Sequence, residues 1–414
     1  MKINSINNKK INLNFLSIIL ISLLPISLLI GSAIINGFVI LIDIIFLIDL
    51  VKNKKIKYLN NKLFYAFLLL WASLLINAFF SENFNNSILR ALGFVRFIFF
   101  VFAIKYYVSS NNYFYREKIF YFWTVVFFLV TLDLLFEFYF GFNTLGYSNE
   151  IPGRLSGYLN QELKIGGFYY GFILISLIFI YNKYKNLSLL YFLITIFLIT
   201  SFLIGERSNF IKICFILILF LYFVDKKFIF KNLLFITLIF SLIFTLIYFN
   251  KDSKERFYDS LIKPIIVNLK FSKTLKYSQY GAHYDAAIGI FKNYPVFGVG
   301  LKNFRHESGK SEYINKEFIF YQTRQTTHPH QIHFELLSET GLFGYLSFII
   351  FFGYYLRKNI KIQIKNGNLY HLSGILFVFT SFLPLLPSGS FFTTFGATIF
   401  WINFSVIELF KDDH

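Results

Sequence analysis

The sequence predicts an all-α polytopic membrane protein of about twelve transmembrane helices with one large extramembrane loop containing short helices. Three observations carry this. Of 414 residues, 56% are hydrophobic and 22% aromatic, well above the apolar share of soluble domains. Apolar runs of helical, membrane-crossing length recur along the chain, each able to span a hydrocarbon core of about 30 Å. Lys and Arg concentrate in alternate turns between those runs, as the positive-inside rule requires.

In order, the spans expected are 13–31, 33–51, 63–80, 89–108, 119–140, 165–181, 187–204, 209–224, 229–249, 334–356, 371–387 and 389–408. Lys2, Lys9 and Lys10 precede the first, and Lys52, Lys54, Lys55, Lys57 and Lys62 follow the second. The same side collects Arg116 and Lys118, Lys183 and Lys185, Lys226, Lys227 and Lys231, then Arg357, Lys358, Lys361 and Lys365. Intervening turns such as 81–87 carry no Lys or Arg. Both termini are therefore expected in the cytoplasm. The net charge of +18 follows from topology, which argues against nucleic acid as a partner. No cleavable signal peptide is expected, because a second apolar run follows the first closely. The single cysteine, Cys214, falls inside a span, so a disulfide framework is excluded. The chain divides into residues 1–249 (about nine spans with short outer loops), a large outer loop at 250–333, and residues 334–414 (about three spans), together one integral membrane domain.

That topology sends residues 141–164, 205–208 and the long loop to one face. The long loop holds His283, His306, His328, His330 and His333, with Arg256, Arg305 and Arg324. Arg154 in GRLSG, Arg207 in GERS and Arg305 in GVGLKNFR stand in short polar contexts, and a planar guanidinium suits bidentate phosphate binding. For Arg207 a local ion pair with Glu206 is the competing role. Arg96, with Arg90 nearer the outer end, lies within a span, and an intramembrane arginine marks a functional site by default. Asp133 and Glu137, four residues apart, are expected to neutralise one of these arginines. His330 is the candidate base, since an ordinary imidazole accepts a proton near neutral pH. His328, Gln331, Glu335 and Glu339 surround it in sequence. No HExxH or DxD arrangement is present, so no metal is expected. Gly298 and Gly300 form a GxG spacing that reads either as a plain turn or as an anion cradle with Lys302. The stretch 252–279 alternates Lys with aromatics and reads as a surface helix or a headgroup contact.

These residues resemble the O-antigen ligase and O-antigen polymerase superfamily of bacterial membrane glycosyltransferases. The likeness runs from about Arg90 to Tyr345. It is strongest in RLSGYLNQELKIGG (Arg154 to Gly167), GERS, HYDAAIGIFKNYPVFGVGLKNFR (His283 to Arg305) and HPHQIHFELLSETGLFG (His328 to Gly344). The ligase-type spacing is met by His330, Gln331, Gly341 and Gly344. The resemblance implies a GT-C-like fold and transfer of a glycan from undecaprenyl diphosphate, without cofactor or metal, at the periplasmic face of the bacterial inner membrane. It implies Arg154, Arg207 and Arg305 for the diphosphate, His330 as catalytic residue, and His283, Gln331, His328 and Glu339 as acceptor-side or supporting residues. The acceptor it implies is lipid A-core for a ligase, the reading favoured by the histidine motif, or another glycan repeat for a polymerase. A lipid-linked glycan transporter is the alternative from another class; no internal repeat supports it.

Overall fold

The computed structural model describes residues 13–110, 113–148, 151–160, 162–225, 229–268 and 271–412. Lys2, Lys9, Lys10, Gln161, Lys226 and Lys227, with both chain ends, lie outside these residues. Every regular element among them is helical, as membrane immersion demands of a backbone that must satisfy its own hydrogen bonds.

Each expected span has a helical counterpart. They are α1 (Leu13–Ser22) with α2 (Leu24–Ile30), α3 (Ser32–Lys52), α4 (Lys62–Phe79), α5 (Phe84–Ser110), α6 (Tyr113–Phe140), α7 (Ile165–Tyr184), α8 (Leu187–Leu203), α9 (Arg207–Val224) and α10 (Ile229–Phe249). After a run of short helices come α16 (Ile332–Asn366), α17 (Leu369–Ser381) and α18 (Thr394–Phe410). Among the described residues eight helices are long and apolar enough to cross a membrane, or nine if α1 and α2, bent by 53°, form one span. The bend falls beside Pro25, which removes one helical hydrogen bond. The apolar helices α8, α17 and α18 are shorter than a full span.

Two boundaries differ from expectation. The 334–356 span continues to Asn366, and the last two spans are separated by a loop at 382–393. Pro384 and Pro387 break the helix there inside an apolar run, so hydropathy alone does not reveal the gap. The core is built largely of aromatic side chains, with Trp401 packed against Phe67, Phe94, Phe352 and Phe404.

The stretch between α10 and α16 is not one surface helix. It breaks into α11 (Lys251–Ser253), a π-helical turn (Lys254–Ile262), α12 (Lys263–Asn268), α13 (Phe271–Lys276), α14 (Gln279–Asn293) and α15 (Phe304–Glu307). These pieces gather at the end of the bundle that also carries residues 81–87, 151–160, 205–206 and 382–393. Glu82 N–H donates to Val299 O (3.1 Å), Leu155 N–H to Ile204 O (3.2 Å) and Ser388 N–H to His330 O (2.7 Å). The lysine-rich turns lie at the other end, where Lys105 meets Glu408 at 3.1 Å and Asn366 Nδ2 donates to Lys411 O at 3.1 Å.

Candidate active site

α16 is broken at Gly341, whose φ of 62° and ψ of −168° fall in a region open essentially to glycine. The break strips helix carbonyls and N–H groups of their usual partners, and the GxG segment supplies replacements. Val299 N–H donates to Ser338 O (3.0 Å) and Gly300 N–H to Glu339 O (2.8 Å), while Leu342 and Phe343 N–H donate to Pro295 O (2.8 Å) and Val296 O (3.0 Å). Of the two readings of Gly298–Gly300, the structural turn holds: Gly298 N–H also goes to Tyr294 O at 3.0 Å, leaving no cradle for an anion.

One turn before α16 begins, three of the five loop histidines converge. His330 lies 4.1 Å from His328 and 5.2 Å from His283, between ring centroids. Tyr280, one turn before His283 on α14, sets its ring 5.8 Å from that of His330. His283 Nε2–H donates to Thr323 O at 3.0 Å, and His328 Nδ1 meets Thr327 Oγ1 at 2.9 Å. Among the described residues the His330 ring nitrogens have no hydrogen-bond partner. Its backbone sits at φ 57°, a left-handed conformation that histidine adopts more readily than most residues and that the Ser388 bond holds. Burial, followed by repulsion from His283, pushes the His330 imidazole down to about 4. Burial, with the His330 charge next, pushes His328 down to about 3. Burial also lowers His283. All three rings are neutral at pH 7, the state in which an imidazole accepts a proton.

The remaining expected residues sort clearly. Gln331 is the N-cap of α16, its side chain accepting from His333 and Phe334 N–H at 2.7 and 3.1 Å, as capping requires. His333 Nε2–H donates to Phe382 O at 2.8 Å, and His306 is exposed. Arg324 donates to the backbone of Tyr321, Gly309 and Lys310. Glu335 and Glu339 do not face the imidazoles. Glu335 accepts from Ser390 Oγ and, at 2.8 Å, from Phe391 N–H, and Glu339 accepts from Phe304 N–H at 3.4 Å.

The arginines form two groups. Arg154 pairs with Glu206 at 3.1 Å, so the Glu206 partner is Arg154 and not the adjacent Arg207. Chain direction explains this: Arg207 opens α9 and points to the π-helical turn, its Nη1 donating to Arg256 O (3.3 Å) and Ser260 O (3.2 Å). Arg256 donates Nη2 to Gly205 O at 2.8 Å. Gly153 and Gly205, at φ 68° and 75°, pack so closely that a Cβ on Gly205 would strike the Gly153 carbonyl. The glycines of GRLSG and GERS thus bring Arg154, Arg207 and Arg256 together. Burial lowers the Arg256 guanidinium to about 10, helped by repulsion from Arg154 and then Arg207. Three crowded cations with Tyr280 acting on two of them favour an anion, and Tyr280 joins them to the histidines. Arg305 stands with the second group: its charge acts on Arg90, Lys302 and His328. The expected trio of Arg154, Arg207 and Arg305 is therefore divided.

Among the described residues Asp133 and Glu137 pair with no arginine. Asp133 accepts from Thr144 N–H at 2.9 Å and its hydroxyl at 2.6 Å. Glu137 accepts from Ser156 N–H (2.9 Å) and Gly157 N–H (2.7 Å), which fixes the loop bearing Arg154. Arg96 instead feels buried Asp43 on α3. Sequence reasoning left Arg256 without a role and missed Tyr280 and Asp43. Tyr280 is signalled only by its i, i+3 spacing to His283 on one helical face.

Residues 187–349 match the family model described as O-antigen ligase. This is the family that the GERS and His330 motifs resemble, and the match covers the later-middle part of the chain. No curated protein matches it. The matched stretch holds GERS, Arg256, the histidine cluster and the Gly341 break, the parts that hold one another by backbone contact. Together with the apolar helices, the match supports a bacterial membrane protein of O-antigen ligase or polymerase type.

Proposed function

We propose that this protein is an O-antigen ligase-type enzyme that moves a glycan from undecaprenyl diphosphate to lipid A-core at the periplasmic face of the inner membrane, both termini lying in the cytoplasm and residues 250–333 in the periplasm. The observation that carries the reading is a neutral His330, its ring nitrogens open, joined through Tyr280 to the crowded guanidiniums of Arg154, Arg207 and Arg256. His330 accepts the proton of the acceptor hydroxyl as that oxygen attacks the anomeric carbon. The bond from that carbon to the diphosphate oxygen breaks, and the arginines take up the charge left on the diphosphate, worth most in a water-poor site. Arg305 and Lys302 lie on the acceptor side. Direct displacement inverts the anomeric configuration.

The test is complementation of a ligase-deficient strain with the wild-type chain and its His330 variant, followed by gel analysis of lipopolysaccharide and lipid-linked polymer. Restored long-chain lipopolysaccharide, lost in the variant while polymer accumulates on the carrier, supports ligation. Rescue only of a polymerase-deficient strain makes the chain a polymerase, and retained anomeric configuration sinks the displacement.

A further inference from the structure

A cavity of about 310 Å³, lined by none of Arg154, Arg207, Arg256 or the histidines, opens among the site-end turns of α3, α5 and α18. This is within the range of small-ligand pockets. Its polar lining is dominated by three cations, Arg90, Arg96 and Lys302, and among the described residues no carboxylate lines it. The Arg96 guanidinium rests over the Phe97 ring at 4.8 Å, and its buried Nε has no hydrogen-bond partner. Buried Asp43, whose charge acts on Arg96, lies on α3 outside the lining. Lys302 titrates below the ordinary lysine range, first because Arg90 stands beside it and then through burial. Glu339 and Glu335 act on Arg90, and Glu339 on Lys302, from outside the lining, so the void itself is faced by three cations and aromatic walls, an arrangement that favours an entering anion.

The cavity also connects to the imidazole. Arg90 Nη1 donates to Phe392 O at 2.8 Å, and Phe391 and Phe392 line the void. The same 382–393 loop holds His330 through Ser388. Leu89, 71% exposed, stands at the rim on α5, the position of a lipid-facing side chain. Gly93, one turn before Arg96, keeps the floor open: a Cβ built there meets nothing nearer than Arg96 Nη1 at 3.9 Å.

We propose that Arg90, Arg96 and Lys302 form a second phosphate subsite, which holds a phosphate borne by the acceptor lipid while its glycan reaches His330. The acceptor role rests on the transfer reading above; the binding of a lipid phosphate does not. Two lipids carry this chemistry, lipid A and a second undecaprenyl diphosphate.

The test uses the full chain in phosphatidylcholine nanodiscs, with binding of lipid A and of undecaprenyl diphosphate measured by native mass spectrometry. Arg90→Gln/Arg96→Gln and Lys302→Gln should each weaken one lipid about tenfold or more, the scale of a lost charge-assisted contact. Gly93→Leu should do the same by filling the void with all charges kept. Loss confined to lipid A identifies it as the occupant; a fall from two bound undecaprenyl diphosphates to one identifies the second carrier. Cavity variants that bind both lipids like the wild type overturn the subsite, as does a wild type that binds neither. Arg154→Gln/Arg207→Gln separates the two readings, since undecaprenyl diphosphate bound at the full wild-type stoichiometry in that variant sinks the donor assignment and leaves the cavity untouched.

Discussion

Replacing His330 by asparagine tests the chemistry without disturbing the chain path. The residue sits at φ 57°, where alanine is strained by about 1 kcal/mol or more and asparagine is tolerated. The substitution keeps the left-handed turn and the bond from Ser388 N–H to the backbone carbonyl of that position, and no described hydrogen bond of the imidazole is lost. Folding stability should change by less than about 1 kcal/mol, while a lost general base lowers the rate by about 10² to 10⁴. His330→Ala should show the same rate loss plus an added stability cost. The assay is transfer in membranes with protein level matched by immunoblot, alongside thermal melts of purified variants. His330→Asn turning over within about tenfold of wild type would refute the base assignment, and an unfolded His330→Asn would refute the backbone argument.

Because burial holds His330 near 4, the acid limb of the rate profile should fall near pH 4 to 5, not at the 6.5 of a free imidazole. The sign for stability follows from linkage: with the folded value depressed, the unfolded chain takes the proton first. Stability should therefore drop as pH falls from about 6.5 through about 4, less steeply in His330→Asn, read from melting temperatures. Gly341→Ala places a Cβ in a glycine-only conformation against the Val296 carbonyl; it should cost about 3 kcal/mol or more and show as lost membrane-folded protein. Arg154→Gln should both reduce transfer and destabilise the chain, by leaving the largely buried Glu206 carboxylate without its ion-pair partner. Arg256→Gln should reduce transfer about tenfold or more while His283, His328 and His330 keep their depressed titration by NMR.

Much of the site was readable from the chain, though not its grouping. The five histidines and the arginines of GRLSG and GERS stand out because polar residues in an apolar chain are costly and therefore few. Their partners are different. Glu206 and Arg207 are neighbours in sequence, yet the turn that starts α9 sends them to Arg154 and to the π-helical turn. Asp133 and Glu137 look like counter-ions, but loop N–H groups reach them first.

By itself the sequence determined the membrane class, the two-ended charge pattern and the residue types available for chemistry, because hydropathy and charge act locally along the chain. Only the tertiary structure decided that the GxG turn repairs the break at Gly341, that Arg256 and Tyr280 join the site, that Arg305 parts from Arg154, and that Arg90, Arg96 and Lys302 share a cavity. Those facts depend on contacts between segments up to about 300 residues apart, such as Arg90 with Phe392, and no local pattern records which buried polar group will satisfy which.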